Sequence, residues 1–116
     1  MIKIGDIKKE YGCSFMLTHD LIEGKWKKRI LWHIINGNNR FSLLQKVMPD
    51  ITHKMLITQL KELVTSGILI RNEYEKTPPR VEYHISPQYQ SIIPIMQALW
   101  EFTKQYAADH EINLPD

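Results

Sequence analysis

Side chains suited to a polyanion recur at short intervals in the middle of this 116-residue chain: Lys54, Thr58, Gln59 and Lys61. If the segment is helical, residues 54, 58, 61 and 65 share one face and Gln59 lies beside it, opposite Leu56, Leu60, Leu63 and Val64. Lysine ammonium groups can neutralise phosphates or reach a guanine edge, and a glutamine carboxamide can match the donor and acceptor of adenine. Just ahead, Thr52 is a capping residue type, and the free amides of a first turn at Thr52-His53 would suit a phosphate. Arg40 and Ser42, some ten residues upstream, are further phosphate candidates, as are Lys76 and Arg80 downstream. A solvated polar helix face would carry the same residue types, so the surrounding elements must decide.

Other chemistry is thinner. Cys13 precedes Ser14 at an expected helix start, with Lys8 and Lys9 close in sequence, a setting that favours the reactive thiolate. A packed, inert thiol fits the same pattern. With no second cysteine, oxidation would cap the sulfur or join two chains. The five histidines (19, 33, 53, 84 and 110) form no HxxxH pair, so no metal is expected. No Gly-rich phosphate loop or nucleophile elbow is present, and neither an enzyme nor a cofactor is expected. Trp26, Trp32 and Trp100 read as packing residues. No apolar run nears the roughly 20 residues of a membrane span, and the amino terminus lacks a signal-peptide pattern, so a cytoplasmic location is the expectation.

Charge is uneven along the chain. Residues 1–24 sum to −1, residues 25–80 to +7 and residues 81–116 to −4. A basic middle between acidic ends suggests a polyanion-binding face and a separate partner-binding end. The elements follow from period and punctuation. Ser14 is expected to cap a short helix to Ile22, with Gly24 just beyond. Residues 25–35 form a second helix, broken by Asn36 to Asn39. Ser42 with Gln45 matches a capping box, opening a helix that must stop by Pro49. A tight connection then leads to the Thr52-capped helix, which ends at Ser66 with Gly67 beyond. Two helices joined by about four residues, the second with a polar outer face, match a helix-turn-helix.

After Gly67 the period changes to two. Ile70 and Tyr74 alternate with Arg71, Glu73 and Glu75, and Val81, Tyr83 and Ile85 alternate with Arg80, Glu82 and His84. This predicts a hairpin turning at Lys76, Thr77, Pro78 and Pro79. Ser86 and Pro87 are expected to open the last helix, with a kink at Pro94. Its stripe includes Ile92, Met96, Leu99, Trp100 and Thr103, more apolar surface than so small a domain needs for itself, which points to a second copy of the chain.

Cys13, Gly24-Lys25-Trp26, Arg40-Phe41, Lys54-Met55-Leu56, Leu60 and Pro78-Pro79-Arg80-Val81-Glu82-Tyr83 occur in an ordered set. In that set the chain resembles the HxlR-type winged helix-turn-helix regulators, relatives of the MarR superfamily, from about Cys13 to Trp100. The resemblance implies a homodimer on palindromic operator DNA, with the terminal helices in contact. It also implies a redox or electrophile role for Cys13, as in several members. Thr52-His53 stands where the family often has Ser-Gln, which bears on operator preference. The Ser-Pro-Gln-Tyr opening of the last helix departs from the common Thr-x-x-Gly. The expectation is therefore one mainly α domain with a small β-hairpin wing (α+β), spanning 1–116. Segments at about 1–22 and 87–109 would form the dimer contact, double-stranded DNA would be the partner, and the inducer is left open. The competing readings are a winged helix used for protein contact and a metal or small-molecule sensor.

Overall fold

The computed structural model describes residues 7–76 and 78–115, with side chains at all of these except 75 and 76. Thr77 of the expected turn, residues 1–6 of the expected amino-terminal contact, and the Lys76 side chain lie outside the described residues. The order is α1 (Ser14–Ile22), α2 (Lys27–Ile35), α3 (Phe41–Val47), α4 (His53–Thr65), β1 (Leu69–Lys76), β2 (Pro79–Ile85), a 3-10 turn (Pro87–Tyr89) and α5 (Ile92–Asp109).

One core positions everything else. Ile30, Leu31 and Ile34 of α2 meet Leu44 of α3 and Leu56, Leu60 and Leu63 of α4, all buried. Ile68, Leu69 and Ile85 close this core from the base of the hairpin, and Met96 of α5 completes it. The three-and-four spacing of these residues is what turns one face of each helix inward. Met48 and Ile51 are buried too, so the α3–α4 connection is packed rather than loose. Gly24 (φ 98°) and Gly67 (φ 89°) end α1 and α4 in the left-handed region, where a side chain would be strained.

The caps differ from expectation in two places. Thr52 does cap α4, its Oγ1 accepting the Met55 amide at 3.1 Å. Ser42 does not cap α3: the helix starts one residue earlier, at Phe41 after Arg40, and no side chain caps it. Phe41 packs against the core and edges onto the His53 ring, centroids 4.7 Å apart, which draws the chain into the helix early. Gln45 turns the other way, its Nε2 donating to the Ile51 carbonyl at 2.7 Å and so bracing the turn before α4. Likewise Ser14 is the first residue of α1, and Cys13 occupies the cap position without a side-chain bond.

β1 and β2 pair antiparallel, Leu69 with Ile85 and Arg71 with Tyr83. The alternation is as expected, but Arg71 therefore shares a face with Tyr83 and Ile85, while Ile70 lies opposite His84 on the other side. A bulge between Glu73 and Glu75 resets the register toward the tip. Ser86 is buried and latches the hairpin base: its amide donates to Ile68 O at 2.9 Å and its hydroxyl to Gly67 O.

Ser86 and Pro87 open a 3-10 turn rather than the last helix, which begins at Ile92 after Ser91. Nor does Pro94 interrupt α5. It is the third residue of the helix, where an amide has no intrahelical acceptor in any case, so the ring costs no hydrogen bond. No helix among the described residues is long and apolar enough to cross a membrane.

Candidate nucleic-acid interface

The outer face of α4 carries Lys54, Thr58 and Lys61, all exposed, with half-buried Thr65 in line with them. Thr58 Oγ1 donates to Lys54 O at 3.0 Å, leaving its lone pairs free to accept. His53 is exposed at the helix start with its ring against Phe41. Lys54 and Lys61 make no side-chain hydrogen bond or ion pair among the described residues, nor do exposed Arg40 and Lys46 of the preceding element. Lys46 was not singled out from the sequence; its spacing of four from Ser42, which puts both on one face of the helix, was the available signal. Ser42 is exposed and, not being a cap, keeps its hydroxyl free.

Gln59 differs. It lies at the edge facing α2, half-buried, and its Oε1 accepts from Lys27 Nζ at 2.9 Å while Glu62 Oε1 accepts from the same ammonium at 2.8 Å. Its Nε2 donates to the Met55 sulfur at 3.4 Å. The two-point contact to adenine considered for Gln59 would use a carbonyl oxygen of which one lone pair is already engaged by Lys27.

The basic start of α2 is spent internally. Lys25 and Arg29 flank the Trp26 ring at 4.7 and 5.0 Å from its centroid, and Lys28 pairs with Glu23 at 3.1 Å. Arg29 also forms a two-pronged bond to Asp50, both contacts 2.9 Å, anchoring the α3–α4 turn to α2. That hydrogen bond holds the Asp50 carboxyl below the usual carboxylate range and raises the Arg29 guanidinium. At the wing, Arg80 lies 5.1 Å from the Tyr74 ring centroid and 3.6 Å from Glu82, which also contacts His84 Nε2 at 2.9 Å.

A second, apolar face lies on α5. Ile95, Leu99, Phe102 and Tyr106 recur every three or four residues and are exposed, Phe102 at 64%. Phe15, Met16 and Leu17 of α1 are exposed as well. A groove of about 430 Å³ lined by Leu17, Leu21, Ile68, Tyr89, Ile92 and Ile95 adjoins them. Of the stripe expected from sequence, Leu99, Trp100 and Thr103 are exposed, and two residues turn inward. Met96 (5% exposed) and half-buried Ile92 serve the protomer's own core. Trp100 stacks on Trp32 at 5.7 Å, Lys104 Nζ lies 5.1 Å from the Trp100 ring centroid, and Thr103 donates to Leu99 O at 2.9 Å. Ile95 and Phe102 were missed because the apolar residues of α5 nearly encircle the helix, and a strongly apolar period does not say which side is inward.

Cys13 is exposed at the amino end of α1, its carbonyl accepting the Met16 amide at 3.0 Å. No group of three metal-ligating side chains occurs among the described residues.

A family model described as HxlR-like helix-turn-helix matches residues 21–111. The chain belongs to that family. HxlR-like proteins are helix-turn-helix transcriptional regulators, not enzymes, and the hairpin after α4 makes this a winged helix. The uncharacterized HTH-type transcriptional regulator YkvN of Bacillus subtilis (strain 168) is 41% identical over 114 residues, 93% of this chain and 97% of that one. The solved structure of the redox regulator HypR in its reduced form is 34% identical, covering 87% of this chain and 100% of that one, with a TM-score of 0.78. A MarR-family transcriptional regulator from Enterococcus faecalis V583, 24% identical, shares the fold over 92% of this chain and 98% of that chain, with a TM-score of 0.72. Arg40-Phe41, the Thr52-capped helix and the hairpin all fall within the HxlR-like match.

Proposed function

We propose that this HxlR-like regulator binds palindromic operator DNA in the cytoplasm as a homodimer, inserting α4 of each protomer into the major groove. One observation carries the reading: the outer face of α4 holds exposed Lys54, Thr58 and Lys61, and the acid within its span, Glu62, is turned back onto Lys27. A helix whose outward charge is all positive, braced from behind by Gln45 and by the Arg29–Asp50 pair, can enter a groove without reorganising. Thr52, His53 and the first-turn amides of α4, with Arg40 and Ser42, would meet phosphates, and Lys76 and Arg80 would flank the duplex at the wing. The dimer would form through the exposed α5 stripe with Phe15 of α1 alongside, because an open row of four large apolar side chains on a terminal helix is the sort of patch that a partner covers.

Exposed Cys13 at the amino end of α1 supports a second layer, oxidant or electrophile response, as the name of the redox regulator HypR suggests for a relative. A thioether or disulfide at Cys13 would add bulk next to α1 and shift one α4 against its mate. Selection from random duplex DNA tests the first reading. An enriched pseudo-palindrome with half-sites about one helical turn apart, or a multiple, is expected, and no enrichment refutes it. For Cys13, operator binding by wild type and Cys13→Ser is compared before and after diamide. Equal binding by wild type despite verified modification leaves the thiol without a regulatory role.

A further inference from the structure

We infer that the stacked pair Trp32 and Trp100 is a strut between α5 and the body that carries α4, and that these two side chains are positioning residues that fix the half-site spacing the dimer accepts. The inference rests on the dimeric DNA-binding reading above and concerns what holds its two α4 helices in register.

α5 is rooted in the core by its first turns. Met96 is buried, Ile92 and Ile93 are half-buried, and all three pack with the core. From Met96 the helix runs on to Asp109. At about 1.5 Å per residue, Tyr106 stands about 15 Å beyond Met96 along the axis. Leu99, Phe102 and Tyr106 of the exposed stripe lie on this outer length, and Ala107, though buried, is not part of the core. Most of the face offered to a partner therefore sits on an arm that extends past its root.

Trp100 reaches back from that arm. Its ring lies against Trp32 of α2, centroids 5.7 Å apart and planes 19° from parallel. An indole is a flat, rigid plate on two rotatable bonds, so two of them stacked resist tilting better than flexible aliphatic chains do. The other end of the strut is fixed as well. Trp32 is half-buried against the core, where Ile30, Leu31 and Ile34 of the same helix pack with α4. Arg29, also on α2, clasps Asp50 in the turn before α4. The stack thus joins the arm to the element that places α4.

In a two-fold dimer the two α4 helices must meet half-sites a helical turn apart, or a multiple of it. A tilt of about 10° moves a point about 15 Å along the arm by about 2.6 Å, close to the rise of about 3.4 Å for one base pair. Bracing the arm therefore decides whether neighbouring spacings are refused.

The test uses the full chain with four duplexes: the operator selected as above, the same operator with one base pair inserted or removed between half-sites, and a single half-site. Wild type is expected to bind the altered spacings about tenfold more weakly, or worse, as for the loss of one good base contact. Trp32 carries the decisive variant because it lies on α2, away from the apolar stripe. Trp32→Leu is expected to cut the spacing penalty about threefold, within the range that one aromatic stack is worth. Its half-site affinity should stay within about twofold of wild type, since the stack is remote from α4's outer face. Trp100→Leu is expected to relax the spacing likewise, and the double variant no further, because both act through one stack. An unchanged penalty in folded, dimeric Trp32→Leu overturns the inference. So does an equal loss on half-site and operator, which a merely structural Trp32 would give, or an additive double variant. If Trp32→Leu proves unfolded or monomeric, Trp32→Phe, a smaller ring in the same place, decides by the same outcomes. A wild type that enriches no operator refutes the DNA-binding reading, and one that binds a single half-site as tightly as two refutes the dimer reading; neither result resembles an unchanged penalty in the variants.

Discussion

Replacing Phe102 by serine removes the most exposed ring of the α5 stripe while leaving the protomer's core intact. The core residues of α5 are Met96 and the half-buried Ile92 and Ile93, on another side of the helix. A phenylalanine ring has about 200 Å² to bury, so with 64% left open in the protomer about 130 Å² would be covered by a partner. At about 25 cal/mol per Å² this is about 3 kcal/mol per ring. A two-fold dimer uses both rings, about 6 kcal/mol, or roughly four orders of magnitude in dissociation constant if every Å² counted. Side-chain ordering and imperfect cover reduce that, and at least a hundredfold weakening, about 3 kcal/mol, is expected. Sedimentation velocity across the micromolar range measures it, with circular dichroism as the check on folding. Met96→Ala is the contrast: a core side chain lost for a cavity, about 2–5 kcal/mol of stability, with the contact face untouched. Phe102→Ser should give folded monomers, and Met96→Ala a dimer that melts early. A Phe102→Ser protein that sediments as a dimer with unchanged dissociation constant would show that the stripe is not the contact.

Three further outcomes follow from the same geometry. Thr52→Ala should cost about 1 kcal/mol by orphaning the Met55 amide, a drop of a few degrees in melting temperature that Thr52→Ser should largely recover. Asp50→Asn should destabilise at neutral pH, because the Arg29 bond lowers the Asp50 carboxyl in the folded state. A depressed carboxylate stabilises above its unfolded value of about 3.9 and loses that contribution as pH falls through its folded value. The gap between wild type and Asp50→Asn in melting temperature should therefore close below about pH 4 and persist at pH 7, and a gap independent of pH would deny the linkage. Lys54→Ala should change base preference at particular positions, whereas Arg40→Ala should weaken all duplexes alike; competition with operator variants reads the difference.

Much of this molecule was legible because its punctuation is strong. Gly24 and Gly67 stop α1 and α4, Thr52 caps α4, and Leu56, Leu60 and Leu63 at helical spacing mark its inward side. The wing was legible in its alternation, but not in its register, since the period of β1 alone does not say whether Ile70 or Leu69 meets Ile85. What stayed hidden was tertiary. Ser42 and Gln45 satisfy a local capping rule, yet Phe41 gains more by joining the helix and entering the core. On α5, Ile92, Ile95, Met96, Leu99 and Phe102 are apolar on more than one side, and only the position of α2 and its Trp32 selects the inner one. Gln59 sits one step from the outer face by helical spacing, and its capture by Lys27 across more than thirty residues left no local trace.

The way α2 spends its charge bears on how this protein would respond to salt. Residues 25–80 sum to +7, which taken at face value suggests a strongly basic grip. Yet Lys25, Lys27, Lys28 and Arg29 already face Trp26, Glu62, Glu23 and Asp50. Arg71 and Arg80 sit beside Glu73 and Glu82, leaving Arg40, Lys46, Lys54 and Lys61 as the unengaged cations whose side chains are described. Each phosphate neutralised releases counterions worth a slope of about −0.9 in log affinity against log salt, so these four in each half of a dimer correspond to about −7, and with Lys76 and Arg80 of the wing to about −11. All eleven Lys and Arg of the segment would correspond to about −20. A grip of the smaller kind releases nonspecific DNA readily at physiological ionic strength, and leaves a larger share of the binding to the base edges that α4 reads.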